Sequence, residues 1–261
     1  MLLRRITEHV KTQNWVAVAI DFFIVVVGVF IGIQVSNWNE IRQEEQKTHT
    51  YIERIREDLA DNKRDFIERR EYFNQVRQHA VAAIDALSSP EADLGEQFIL
   101  DAYQASQFMP RELARDTYDE VLSVGALNTE SNQAVRKRLS IFYRSITAQQ
   151  VNLLAPVPYR DLIRGIISYD VQQAIRARCG DISALGPNGE PLIALPESCS
   201  AGLTQAQIAQ VSSAIKTAKI EQALNHRIAQ LDIMLRGINQ VIYRAGQIDS
   251  YLETELTDRN K

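Results

Sequence analysis

Cysteine occurs only twice in this chain of 261 residues, too seldom for a disulfide scaffold, and 7 prolines with 11 glycines are too few for a low-complexity sequence. At 45% hydrophobic residues the composition is too apolar for a disordered chain, and the length permits one large domain or two small ones. A basic excess is lacking too. The 29 Lys and Arg stand against 33 Asp and Glu, a formal net charge of -4, so no nucleic-acid partner is expected, since that partner demands a clustered basic face. No Gly-rich phosphate loop, G-x-S-x-G, H-E-x-x-H or Cys/His cluster occurs. His9, His49, His79 and His226 are scattered; pairing of the long helices would bring His79 near His226, but two histidines fall short of a metal site. Carboxylate pairs such as Asp58 and Asp61 lie among Arg and Lys, as solvated helix-surface ion pairs do. The expectation is a protein that is not an enzyme and holds no cofactor and no metal.

The most informative absence is of charge. Between Trp15 and Trp38 the only formal charge is Asp21. At about 1.5 Å per residue this stretch reaches roughly 36 Å, enough for the hydrocarbon core of a bilayer. Trp15 and Trp38, the only tryptophans, mark its ends as interface anchors. No small-x-small cleavage site follows, so residues 15–38 read as an uncleaved transmembrane helix in contact with membrane lipid. Leu2, Leu3, Ile6 and Val10 share one side of a helix, as a short interfacial segment within residues 1–14 would place them.

Lys and Arg are balanced on the two flanks, so the positive-inside rule gives no orientation. The cysteines do. Cys179 and Cys199 bracket two strand-like runs, ISAL and PLIAL, around Pro187-Asn188-Gly189, which puts them opposite each other at the base of a hairpin. A disulfide there persists only in an oxidising compartment, the alternative being two unrelated reduced thiols. The expected location is a bacterial inner membrane, with a single pass, the N-terminus cytoplasmic and residues 39–261 periplasmic.

Along the span Asp21, Val25, Gly28, Gly32 and Val35 follow at spacings of 4, 3, 4 and 3 and form one stripe. Gly28-x-x-x-Gly32 lets another helix approach closely, and Asp21 would face that helix rather than lipid. Asp21 has two readings: a carboxylate near the cytoplasmic surface that snorkels or stays protonated, or a candidate proton or ion site.

From residue 40 to 88 there is neither Pro nor Gly, and Ile52, Ile55, Leu59, Asn62, Phe66, Arg69, Phe73, Val76, Ala80, Ala83 and Leu87 keep a 3-4 repeat. The pattern predicts one long helix, continuous or nearly so with the span, stopped at Ser88-Ser89-Pro90. Helices follow at about 90–107, 111–124, 131–155 and 159–178. Thr204-x-x-Gln207 is a capping box opening the last helical region. There Leu224, Ile228, Leu231, Leu235, Ile238, Ile242, Ala245, Asp249, Leu252 and Leu256 resume the repeat after a slip near 218–224, which leaves one helix or two open. The predicted fold is all-α: an N-terminal transmembrane helix continuing into an elongated antiparallel helical-bundle or coiled-coil domain, with one small disulfide-closed β-hairpin at 179–199.

Asp21, Gly28, Gly32 and Asn37-Trp38-Asn39-Glu40, followed by a charged helix and TYDEVLSVGALN (Thr117 to Asn128), resemble a family of bacterial single-span inner-membrane proteins of unknown function. The likeness covers the first 60 residues and residues 117–145, and implies a membrane address without an activity. AIDFFIVVVGVF around Asp21 is similar to the one-span stator subunits of the TolR and ExbD type, whose mixed α/β periplasmic domain differs from the all-helical one predicted here. Two functions follow: a membrane-anchored helical scaffold that self-associates as a homo-oligomer or holds other envelope proteins, or a subunit of an ion-conducting or proton-driven assembly using Asp21.

Overall fold

The computed structural model describes residues 15–89, 94–110, 114–186 and 191–259, without the side chains of residues 15–19, 21, 131 and 191. The interfacial segment before Trp15, the Pro90 cap and the Pro187-Asn188-Gly189 turn lie outside those residues. In chain order the elements are α1 (Trp15–Ser88), α2 (Glu96–Gln104), α3 (Asp116–Ser123), a 3-10 turn (Glu130–Asn132), α4 (Gln133–Leu153), α5 (Pro158–Ile166), α6 (Tyr169–Cys179), β1 (Ile182–Leu185), β2 (Pro191–Ala194), α7 (Gln205–Ala218) and α8 (Glu221–Arg259). The chain divides into two compact units, Met1–Tyr51 and Ile52–Lys261.

In the first unit α1 is long and apolar enough to cross a membrane, and its most apolar window, of mean hydropathy 1.7, has none of its residues buried. In the second unit the predicted seam is in place. Of its residues, all from Ile52 to Ala83 are buried and Leu87 is half-buried. Full burial of an apolar side chain of this size contributes about 1.5–3 kcal/mol.

Helix α8 runs antiparallel to α1 and to α4. Arg56 Nε donates to Asp249 at 2.7 Å and Arg77 Nε to Asp232 at 2.5 Å, so rising numbers on α1 meet falling numbers on α8. On the other flank, Arg259 donates to Asn132 at 2.6 Å, Arg138 stacks on Tyr251 at 4.1 Å, and Gln149 donates to the Met234 carbonyl at 3.2 Å. At that last contact Gly237 leaves room for the Gln149 side chain that a Cβ would occupy. Contact with two helices widens the buried face of α8. Leu224, Leu231, Ile238, Ala245 and Leu252 lie at its centre, and Arg227, Met234, Val241 and Ile248 are buried beside them, while Ile228, Ile242 and Asp249 of the expected repeat are half-buried.

Two breaks resolve or correct the expected elements. The helix expected over 159–178 is two, α5 and α6, because Ile167 and Ser168 are extended (ψ 124° and 152°). Gln172 Nε2 donates to the Arg164 and Ile167 carbonyls that the break exposes, both at 2.7 Å. The last helical region is also two helices. Lys219 adopts the left-handed conformation (φ 50°, ψ 59°), which absorbs the extra residue in the spacing Ile215, Ile220, Leu224. The capping box at Thr204 and Gln207 has both its bonds.

Strands β1 and β2 pair antiparallel with Ile182 opposite Ala194 and Leu185 opposite Pro191. Below them Cys179 and Cys199 form a disulfide, with Cα atoms 5.5 Å apart. Every β1 residue is exposed, so the hairpin has no core of its own and depends on its base. Gln75 both donates to the Leu195 carbonyl and accepts from the Leu195 amide, Tyr72 donates to Asp181, and Gln104 donates to the Cys179 carbonyl.

Thiol labelling of the denatured protein is expected to require prior reduction. The bridge closes a loop with a sequence separation of 20. In the chain-entropy model that is worth about 3 kcal/mol, so Cys179→Ser with Cys199→Ser should lower stability by about that amount in urea titration while the helical circular dichroism is retained.

Candidate functional site

The stripe on the apolar N-terminal part of α1 has no partner among the described residues. A Cβ built on Gly28 or Gly32 would meet nothing within 4 Å, and Val25 and Val35 are 62% and 57% exposed. Asp21 and Trp15 lie on the same helix, and their side chains fall outside the described residues. Trp38, 65% exposed, has the Arg42 guanidinium over its ring at 6.0 Å. With two small residues at a one-turn spacing and no described side chain over them, the stripe presents bare backbone to whatever helix approaches.

Other sequence candidates fall apart. His79 Nδ1 lies 2.7 Å from Asp101, which also accepts from Gln97, whereas His226 is exposed. No three metal-ligating side chains cluster among the described residues. Asp58 accepts from the Thr117 amide rather than standing in solvent, while Asp61 does pair with Arg64 along the helix. The TYDEVLSVGALN segment docks on α1 and α4: Glu120 pairs with Arg54 of α1 at 2.6 Å and Tyr118 stacks on Tyr143 of α4 at 4.1 Å, while just before it the Ala114 carbonyl accepts from Asn62 at 2.7 Å. Burial pushes the Tyr143 hydroxyl up, and the nearby Asp58 carboxylate adds to the effect.

The polar centre that sequence reading missed lies where α2 ends. Its last turn and the chain through Gln107 leave carbonyls without helical partners, and arginines from two other helices satisfy them. Arg227, 1% exposed, donates from Nε to the Ala105 carbonyl at 3.0 Å and from Nη2 to the Gln107 carbonyl at 2.7 Å. Arg160 Nη1 donates to the Ser106 carbonyl at 3.0 Å, and Tyr159 donates to the Ala102 carbonyl at 2.8 Å. Arg164 donates to Ser106 Oγ and Gln107 Oε1 while its guanidinium stacks on Tyr103 at 4.4 Å. Desolvation pulls the Arg227 guanidinium down to about 10, still charged at neutral pH. The signal was present: Arg227 lies one heptad before Met234 on the buried side of α8. A charged residue there reads as a solvated edge until the carbonyls it serves are known.

No protein-family model, curated protein or solved structure matches this chain.

Replacing Arg227 by Met keeps the volume but leaves two buried carbonyls without donors. Each unsatisfied group costs about 1–3 kcal/mol, so Arg227→Met should lose about 2–6 kcal/mol in urea titration. A loss below 1 kcal/mol would show that water serves those carbonyls equally well.

Proposed function

We propose that this chain is a membrane-anchored, self-associating helical scaffold of the bacterial cell envelope, with its N-terminus cytoplasmic and residues 39–261 periplasmic. The contrast within α1 carries this reading. Phe22, Phe23, Phe30 and Ile31 are each more than half exposed, whereas from Ile52 onward the same helix buries every predicted seam residue as far as Ala83. A helix that packs so completely where it has partners, yet leaves 13 large apolar residues exposed between Ile20 and Ile41, fits a bilayer over that stretch. The disulfide supports the periplasmic side, because such a bond persists in oxidising compartments. Gly28 and Gly32 support self-association, since lipid supplies no hydrophobic drive between helices and close backbone approach takes its place.

Three measurements test the reading. A reporter active only in the periplasm, fused after Lys261, is expected to be active; activity of a cytoplasmic reporter at the same place would invert the orientation. In mild detergent the wild-type complex should contain more than one copy, and Gly28→Leu or Gly32→Leu should shift it toward the monomer mass by separating the backbones. Unchanged mass in both variants would remove the stripe as the interface. Asp21→Asn is expected to assemble normally and to function in cells, because the amide still hydrogen-bonds across a helix pair but cannot carry a proton.

A further inference from the structure

Helix α4 is patterned on both sides. Val135, Leu139, Phe142, Ile146, Gln149 and Leu153 are buried, as the side packed against the rest of the unit should be. On the opposite side Ala134, Lys137, Ile141, Arg144, Ala148 and Val151 follow at spacings of 3, 4, 3, 4 and 3, and all six are exposed. Ile141 is 47% and Val151 67% exposed. A face that meets only solvent has no use for such a repeat, which runs about 26 Å along the helix and is the pattern by which one helix seats against another.

The face also carries one sign of charge. Over its 21 residues α4 holds Arg136, Lys137, Arg138 and Arg144 and no Asp or Glu. Carboxylates on the helices packed beside it serve other arginines: Asp119 of α3 pairs with Arg115, and on α8 Asp249 pairs with Arg56 and Glu255 with Arg259. Arg138 leans onto Tyr251 of α8, and Arg144 Nε donates to the Ser140 carbonyl of its own helix at 3.3 Å. Lys137 and Arg144 therefore stand within the outward stripe, two turns apart, each with an alanine about one turn away.

This chemistry selects among occupants. A second copy of α4, in either direction, would gather Lys137 and Arg144 of both copies into one seam without a carboxylate between them. A lipid surface favours Trp, Phe or Leu on the apolar side with the cations set apart on a polar face, whereas here the stripe has no aromatic residue and the cations interrupt it. A foreign helix uses all that is present: Ala134 and Ala148 let it come close, Ile141 and Val151 give apolar contact, and cations seven residues apart call for carboxylates at the same separation. We propose that the outward face of α4 is the docking surface for an acidic amphipathic helix of another protein, whose carboxylates pair with Lys137 and Arg144.

The test replaces Ala148 of the full chain by the photo-crosslinking residue benzoylphenylalanine and irradiates membranes of the cells that make it, with Asn239, exposed on α8, as the control position. The Ala148 position, and not Asn239, is expected to yield one protein adduct, mapped by mass spectrometry to a helical segment with two Asp or Glu seven residues apart. Lys137→Glu with Arg144→Glu should melt as the wild type does, both side chains being exposed, and should lower the adduct about tenfold; exchanging the partner's two carboxylates for lysine should restore it. An adduct with a second copy of this chain, with lipid alone or with a segment lacking the carboxylates overturns the proposal, as does no adduct or one indifferent to the charge reversal. None of these outcomes depends on self-association through Gly28 and Gly32.

Discussion

Helix α8 has to satisfy two neighbours with one surface. A helix that pairs with a single partner buries a narrow seam, but α8 lies against α1 on one flank and α4 on the other, and its buried residues widen accordingly, with Leu231, Ile238 and Ala245 at the centre. The rest of the second unit is arranged around this helix. Its charged edges fix the register by pairing Asp232 with Arg77 and Asp249 with Arg56, and Arg259 closes its end on Asn132. Surface pairs of this kind contribute little energy individually, yet several along one helix disfavour a shift of one turn.

The polar groups inside that packing serve the loops more than the helices. Asn62 holds the chain entering α3, Gln75 holds the end of the hairpin, Gln104 holds Cys179, and Arg227 holds the turn after α2. In each case a long side chain on a regular element reaches a backbone group that has no ladder or helix to join. An unsatisfied carbonyl in that interior would cost more than the bond contributes, so these residues specify where the irregular segments lie rather than adding much net stability.

The regular elements were legible in the sequence because the pattern repeats. The absence of Pro and Gly from residue 40 to 88 and the 3-4 spacing predicted α1, and ISAL and PLIAL marked the strands that the disulfide closes. What was not legible depended on tertiary neighbours. The break at Ser168 is carried by a Gln172 side chain returning to the Arg164 and Ile167 carbonyls, and the seam of α8 looked like one stripe because the second stripe contains Arg227. Asn62 and Arg69 were visible as polar interruptions of a seam; that Asn62 binds the Ala114 carbonyl, and that Arg69 pairs with Asp65 one turn earlier, were not. On the apolar N-terminal part of α1 the sequence named the stripe through Gly28 and Gly32, and the described residues leave that face open.

The pairing of Arg56 with Asp249 joins residues 193 positions apart. A ribosome that has released α1 has therefore still to make most of the chain before the partners of Arg56 and Arg77 exist. Contacts at such separation form slowly, because a long loop must close before they are rewarded. During that interval the apolar seam of α1 is sticky, and the nascent chain is at its most vulnerable to aggregation and proteolysis. The antiparallel architecture thus makes biogenesis, more than the stability of the finished fold, the stage at which this protein depends on the care of its cell.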